Sequence, residues 1–144
     1  MSRSPNRSNL SGLNLKRVYD YTLKDGWHVD KKAWTPDSIT TWLPQSARPD
    51  VKIKGEPKPG QLYKDLIAAH GNTKIRWSFD AMAGTAFSKD DILDIVETSI
   101  DKNFESIAKH LKIEVPTDAA EKSKVFKQVR EKIFENFDVE IGGV

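Results

Sequence analysis

Residues 73–80 read TKIRWSFD, and their side chains alternate strictly between polar and apolar. In an extended chain Ile75, Trp77 and Phe79 lie on one face, whereas Lys74 and Arg76 lie on the other. Such alternation is typical of a half-buried β-strand. Most of the remaining sequence has helical periodicity. Together with this strand it predicts a predominantly α-helical α+β fold, with about five helices and one or two minor strands around residues 75–79.

Three helices are predicted before this strand, each from apolar residues that recur at helical spacing. The first runs from residue 14 or 15 to about residue 24, the second over residues 36–43 and the third over residues 61–70. Thr35 suits an N-cap and Pro36 a first helical position. Gly71 suits the end of the third helix.

The sequence after the strand predicts two longer helices. Ser88 suits an N-cap and Asp91 stands at the reciprocal capping position. Apolar residues then follow at spacings of four and three, namely Ile92, Val96, Ile100, Phe104, Ile107 and Leu111. They predict one helix of about 24 residues. A second helix after Pro116 would form a C-terminal antiparallel hairpin with it, burying Phe104 and Ile133 fully. Residues 138–144 are expected to be a closing strand or a tail.

The charge of the chain is divided between its halves. Residues 1–77 hold 14 Lys/Arg and 7 Asp/Glu, a net charge of +7, and residues 78–144 hold 9 and 14, a net charge of −5. We expect a flexible basic arm over residues 1–12 and one globular domain over residues 13–144. Within that domain, residues 13–80 form a basic, loop-rich half and residues 88–144 an acidic, helical half. Such asymmetry suggests a part that faces a polyanion and a part that packs or self-associates.

Composition excludes several classes of protein and of site. The sequence has no cysteine, which excludes a disulfide framework, a thiolate zinc site and a cysteine nucleophile. No stretch approaches the length of an apolar membrane span. The basic N-terminus lacks the apolar segment of a signal peptide. We therefore expect a cytoplasmic protein, or one delivered to a cytoplasm by a route that this segment does not encode.

The first candidate site is the basic, aromatic stretch from Lys52 to Trp77. Residues 44–60 are rich in proline and predict an extended basic loop, in which residues 51–54 form at most a short edge strand. Six cations are candidates for phosphate contacts: Lys52, Lys54, Lys58, Lys64, Lys74 and Arg76. Trp77 or Tyr63 would stack on unpaired bases. The alternative is that the lysines are only solvated and the aromatic rings belong to the core.

The second candidate is His70, at the end of the third predicted helix. A histidine here could act as general base on a ribose hydroxyl, with Lys74 and Arg76 stabilising the phosphate, which is the minimum equipment of a metal-free ribonuclease. His28 is the only other histidine in the basic half. The alternative is a histidine that interacts favourably with the C-terminus of its helix.

Other chemistry finds little support in the sequence. Asp50, Glu56 and Lys58 match the metal site of restriction-type nucleases only superficially, because Pro57 interrupts the strand that such a site needs. Residues 35–43 suit the first helix of a helix-turn-helix, but no recognition helix is predicted directly after them. No metal site and no cofactor is predicted.

Three functions remain open at this point. The leading hypothesis is a small protein that binds RNA or single-stranded nucleic acid through its N-terminal half. The alternative is a metal-independent ribonuclease that uses His70, such as the toxic domain of a bacterial competition system. The third is a protein-interaction module, in which the helical half forms a homo-oligomer or contacts a protein partner.

Overall fold

The computed structural model describes residues 15–142, so the predicted arm over residues 1–12 lies outside the described part. Six strands are present: β1 (Tyr21–Thr22), β2 (His28–Lys32), β3 (Val51–Ile53), β4 (Glu56–Lys58), β5 (Ile75–Phe79) and β6 (Phe137–Ile141). Five helices accompany them: α1 (Pro36–Ser46), α2 (Gln61–His70), α3 (Lys89–Lys102), α4 (Phe104–Leu111) and α5 (Ala119–Asn136). The fold is α+β, as predicted.

The predicted strand lies inside a four-stranded sheet of order β1-β2-β5-β6. β2, β5 and β6 are parallel, and β1 pairs antiparallel with β2 at one edge. The expectation of one or two minor strands was therefore wrong. The sequence does not predict β2, because Asp30 and Lys32 lie on the face of this strand that the helices cover, and the sequence of that face is therefore not apolar.

The two faces of the sheet have different environments. The connections from β2 to β5 and from β5 to β6 both run in the same direction along the strand order. Because connections between parallel strands are right-handed, the helices within both connections lie on the same side of the sheet. On that side Ile75, Trp77 and Phe79 are fully buried in the core. The other side, called the open face below, carries the alternate residues of the three parallel strands: Val29, Lys31, Arg76, Ser78, Asp138 and Glu140.

The first predicted helix is absent. Residues 15–19 have no regular secondary structure, and half-buried Leu15, Arg17 and Tyr19 alternate with exposed neighbours such as Val18. The apolar residues of this segment fit a period of two as well as a helical one. The extended form is stabilised because it brings Arg17 to the buried carboxylate of Asp65.

The predicted helix of about 24 residues is divided into α3 and α4. The capping box of Ser88 and Asp91 is confirmed, with both reciprocal hydrogen bonds present. Asn103 leaves helical geometry at φ −107° and ψ 18°, and its Nδ2 donates to the Ser99 carbonyl at 2.8 Å. α5 packs chiefly against α2, so the antiparallel C-terminal hairpin is not confirmed. Phe104 and Ile133 are buried as predicted, at 1% and 0% exposure.

The short strand expected at residues 51–54 is present as β3. The expectation that the rest of residues 44–60 is an extended loop was wrong, because α1 continues to residue 46 and β3 pairs with β4 in a β-hairpin. β3 and β4 pair antiparallel, and Lys54 (φ 54°) and Gly55 (φ 83°) form the turn between them. Positive φ at both central residues is typical of a type I′ turn, which suits the twist of a hairpin. α1 continues past Pro44 before β3 begins.

Gly60 fastens the hairpin to α1. Its N–H donates to the Arg48 carbonyl at 2.8 Å. A Cβ at this position would lie only 2.1 Å from the backbone oxygen of Ser46. The connection therefore fits only glycine, and it holds the base of the hairpin against the end of α1. Within residues 15–142 no helix is both long and apolar enough to cross a membrane.

Candidate nucleic-acid interface

The structure divides the six predicted cations between two surfaces. Lys52, Lys54 and Lys58 are exposed on the β3–β4 hairpin, and Lys64 lies one turn into the following helix, α2. The other two lie at and beside the start of β5 and are described further below. The first group, Lys52, Lys54, Lys58 and Lys64, is called the basic hairpin group.

The register of the hairpin decides which lysine faces the rest of the molecule. Lys58 pairs with Val51, and Lys52 pairs with Pro57. Because directly opposed residues share a face, Lys58 lies on the face of Val51 and Lys52 lies on the reverse. Val51 lines a groove between the hairpin and α1. Lys58 therefore stands beside that groove, whereas Lys52 points away from it.

Lys64 lies in a positive environment. Its Nζ donates to the Lys16 carbonyl at 3.3 Å, and its side chain also lines the groove. Burial lowers the pKa of Lys64, and the charges of Arg17 and Lys58 lower it further, against the opposite effect of the Asp65 carboxylate. An anion bound between Lys58 and Lys64 would relieve this mutual repulsion.

The cations of the basic hairpin group are not held in ion pairs. In the described part of the chain, none of the four forms an ion pair with an acidic side chain. In the acidic half Arg130 pairs with Asp101 at 2.8 Å and Lys89 with Asp138 at 3.0 Å. On the hairpin Lys52, Lys54 and Lys58 present positive charges to solvent without an ion pair.

Two tryptophans line the groove beside these cations. The groove encloses about 530 Å³ and is called the tryptophan groove; its lining residues are Trp34, Trp42, Gln45, Ser46, Val51, Pro59, Gly60, Gln61 and Lys64. Trp42 is 52% exposed, although it lies on a helix whose Ile39 and Leu43 are fully buried. Trp34 is half-buried and makes edge contacts with Trp77 at 5.8 Å and with Phe79 at 5.9 Å.

The two aromatic residues expected from the sequence to stack on bases belong to the core. Tyr63 and Trp77 are both fully buried, so neither can stack on a base. The Tyr63 hydroxyl bonds with Ser106 at 2.9 Å, and Trp77 Nε1 donates to Asp65 at 2.7 Å. The exposure of Trp42 was not predictable, because its helical spacing from Ile39 resembles that of a core residue.

Gln61 has a fixed orientation at the edge of the groove. Lys32 Nζ lies 2.6 Å from Gln61 Oε1, and since an ammonium group only donates, the facing atom of the amide is its oxygen. Lys32 is itself held by Asp30 at 2.9 Å and lies 4.3 Å from the centre of the Trp77 ring. The amide NH₂ of Gln61 has no acceptor among the described residues.

A network of buried charged side chains is centred on Asp65 and Asp30. Asp65 is fully buried and accepts hydrogen bonds from Arg17 Nε at 3.0 Å and from the Tyr19 hydroxyl at 2.9 Å, besides the one from Trp77. Burial raises the pKa of Asp65, although these donors act in the opposite direction. Burial would also raise the pKa of Asp30, but Lys32 and Arg17 hold it below its ordinary value.

The second surface belongs to Lys74 and Arg76. Both cations contact the Trp27 ring, with Lys74 Nζ at 5.8 Å and the Arg76 guanidinium at 4.8 Å from its centre. Arg76 Nε also lies 3.6 Å from Asp138 and 4.0 Å from Glu140 on the open face. Arg76 is therefore held in ion pairs, unlike the cations of the basic hairpin group.

His70 lies on the helical side of the sheet, at the end of α2. Burial and the nearby charge of Lys132 lower its pKa. The side chain of Arg76 projects from the open face, so the sheet separates these two candidate catalytic residues. His28, the other histidine of the basic half, stacks on Tyr19 at 5.0 Å.

The remaining candidates form no metal site. Asp50 is exposed and pairs with Arg48 at 3.1 Å. Residues 15–142 contain no group of three or more His, Cys, Asp or Glu side chains that could hold a metal ion. Comparison with known proteins found no match of the chain to a protein-family model, to a curated protein or to a solved structure.

Proposed function

We propose that this protein binds RNA or another single-stranded nucleic acid through the basic hairpin group. The observation that carries the proposal is a group of four lysines without ion pairs, of which Lys58 and Lys64 flank the tryptophan groove. Phosphate groups are the anions that such a cluster attracts along an extended ligand. Lys58 and Lys64 flank the groove in this arrangement, and Lys52 and Lys54 contact further phosphates along the hairpin.

Salt-dependent binding tests the proposal. Binding of a fluorescein-labelled, unstructured RNA of about twelve nucleotides is measured by anisotropy from about 50 to about 200 mM salt. Replacing Lys52, Lys54 and Lys58 by Glu should weaken binding strongly. Loss of three phosphate contacts, at about 0.7 each, should make the negative slope of log K against log salt about 2 less steep.

A matched control separates a local site from net charge. Lys122, Lys124 and Lys127 are exposed on α5, and replacing them by Glu makes the same charge change far from the hairpin in sequence. This triple variant should keep the wild-type slope. Wild-type protein that binds neither RNA nor single-stranded DNA at low salt would overturn the proposal, and equal losses in both triple variants would also contradict a site at the hairpin.

The ribonuclease stays the alternative prediction. Its support is that His70 has a lowered pKa, which leaves the ring unprotonated at neutral pH, as a general base requires. Its weakness is the separation of His70 from Arg76. In the presence of EDTA, wild-type protein should cleave RNA and His70→Asn should not, with His110→Asn as the control. The third hypothesis, self-association or a protein partner at the helical half, predicts no nucleic-acid binding.

A further inference from the structure

We infer that the tryptophan groove is a subsite for one unpaired nucleobase, with Trp42 as the stacking platform and Gln61 as a hydrogen-bond donor to the base. The inference rests on the proposed function and narrows its ligand to strands with unpaired bases. The groove volume of about 530 Å³ lies in the range of small-ligand sites.

The aromatic residues have the properties that stacking needs. Trp42 leaves 52% of its surface in water, so a base can cover it without displacing a core contact. Trp34 is held by its edge contacts with Trp77 and Phe79, which makes it a fixed wall of the same groove. Base–aromatic stacking is tolerant of sequence, because every base has a π-face.

Gln61 supplies the polar contact. The hydrogen bond from Lys32 orients its oxygen away from the NH₂ group, whose N–H donors have no acceptor among the described residues. A ligand that presents an acceptor, such as a base carbonyl or a ring nitrogen, would satisfy these donors. A base inside a duplex is stacked and paired, and it cannot enter a groove of this kind.

The cations beside the groove indicate where the phosphates of the same nucleic-acid strand would lie. Lys58 shares its hairpin face with Val51, which lines the groove, and Lys64 lines the groove directly. A base stacked on Trp42 would thus have its flanking phosphates within reach of two cations whose repulsion an anion relieves. This charge complementarity favours a nucleotide over an uncharged aromatic ligand.

The experiment compares one RNA strand of about twelve nucleotides as a single strand and as a duplex with its complement. Trp42→Ala should weaken single-strand binding by roughly 5- to 150-fold, the range expected for loss of one stacked base. It should leave duplex binding unchanged, and Trp42→Phe should recover part of the loss. Bound single strand should also quench tryptophan fluorescence in the wild type and less in Trp42→Ala.

Tyr21→Ala is the matched control, because Tyr21 is an exposed aromatic residue, at 44%, on the edge strand β1. It should bind like the wild type. If Trp42→Ala binds the single strand as tightly as the wild type while the lysine variant still loses binding, the base subsite is wrong and the proposed function stands. If the wild type binds no nucleic acid at all, both are wrong.

Discussion

Asp65 is held in place by several side chains at once. It is fully buried and accepts hydrogen bonds from three different side chains, two of them in the irregular segment before β1. Arg17 bridges Asp65 to Asp30 and so ties that segment to both α2 and β2. Nothing in the sequence predicted this network, because the three partners of Asp65 lie 48, 46 and 12 residues away and have no shared motif.

Replacing Asp65 by Asn should destabilise the protein strongly. The change leaves the buried Arg17 with one anionic partner instead of two, and breaking a buried pair costs roughly 3–5 kcal/mol. We expect the lower end of that range, since Asp30 remains. Urea unfolding of Asp65→Asn measures the loss, and Asp50→Asn, which breaks an exposed pair, should cost under about 0.5 kcal/mol. Equal midpoints for the two variants would contradict the network.

The lowered pKa of His70 predicts a pH dependence of stability. The folded chain binds this proton less readily than the unfolded chain, whose histidine titrates near about 6.5. The free energy of unfolding should therefore fall as the pH is lowered from neutrality through that value. His70→Asn and Lys132→Gln should each reduce the loss between about pH 7.5 and about pH 5 in urea melts. Parallel losses in wild type and both variants would contradict this assignment.

Helices and strands were predictable where residues close together in the sequence determine them. The caps of α1 and α3 depend on side chains three residues apart, so Thr35 and Ser88 marked their helix starts correctly. β2 and the segment before β1 bury charged residues against distant partners, so their patterns could not be read locally. For the candidate site, the cations were chosen from the sequence, whereas the groove that Trp42 and Lys64 line depends on how distant segments pack together and could not be predicted from it.

Gly60→Ala should loosen the hairpin from α1. The new methyl group would meet the Ser46 backbone at 2.1 Å, and forced overpacking costs typically about 1–3 kcal/mol. Nucleic-acid binding should weaken as well, because the hairpin and α1 form the two sides of the groove. Gly71→Ala is the control, since its methyl group would make ordinary contacts from 3.4 Å outward. A thermal melt of Gly60→Ala that matches Gly71→Ala would disprove the close approach.

The stability of the whole molecule depends on the core between the sheet and the helices that cover one of its faces. Phe104 is 1% exposed and stacks on Phe126 with ring centres 3.7 Å apart. Phe104→Ala should lower the free energy of unfolding by roughly 3–5 kcal/mol, a large part of the 5–15 kcal/mol typical of a domain. Met82→Ala, at a side chain 55% exposed, should change it by under about 0.5 kcal/mol. A loss below about 1 kcal/mol for Phe104→Ala would contradict this role.

The pairing of β5 with β6 also has a consequence for synthesis on the ribosome. Ser78 and Glu140, which face each other across the two strands, are 62 residues apart in the chain. At about 5–20 residues per second, translation leaves that edge of β5 without its partner for roughly 3–12 s. Through this interval the nascent chain offers an unpaired edge of Ile, Trp and Phe to any neighbouring nascent chain. Polysomes, where such chains are crowded together, are therefore where we expect this protein to depend most on chaperones.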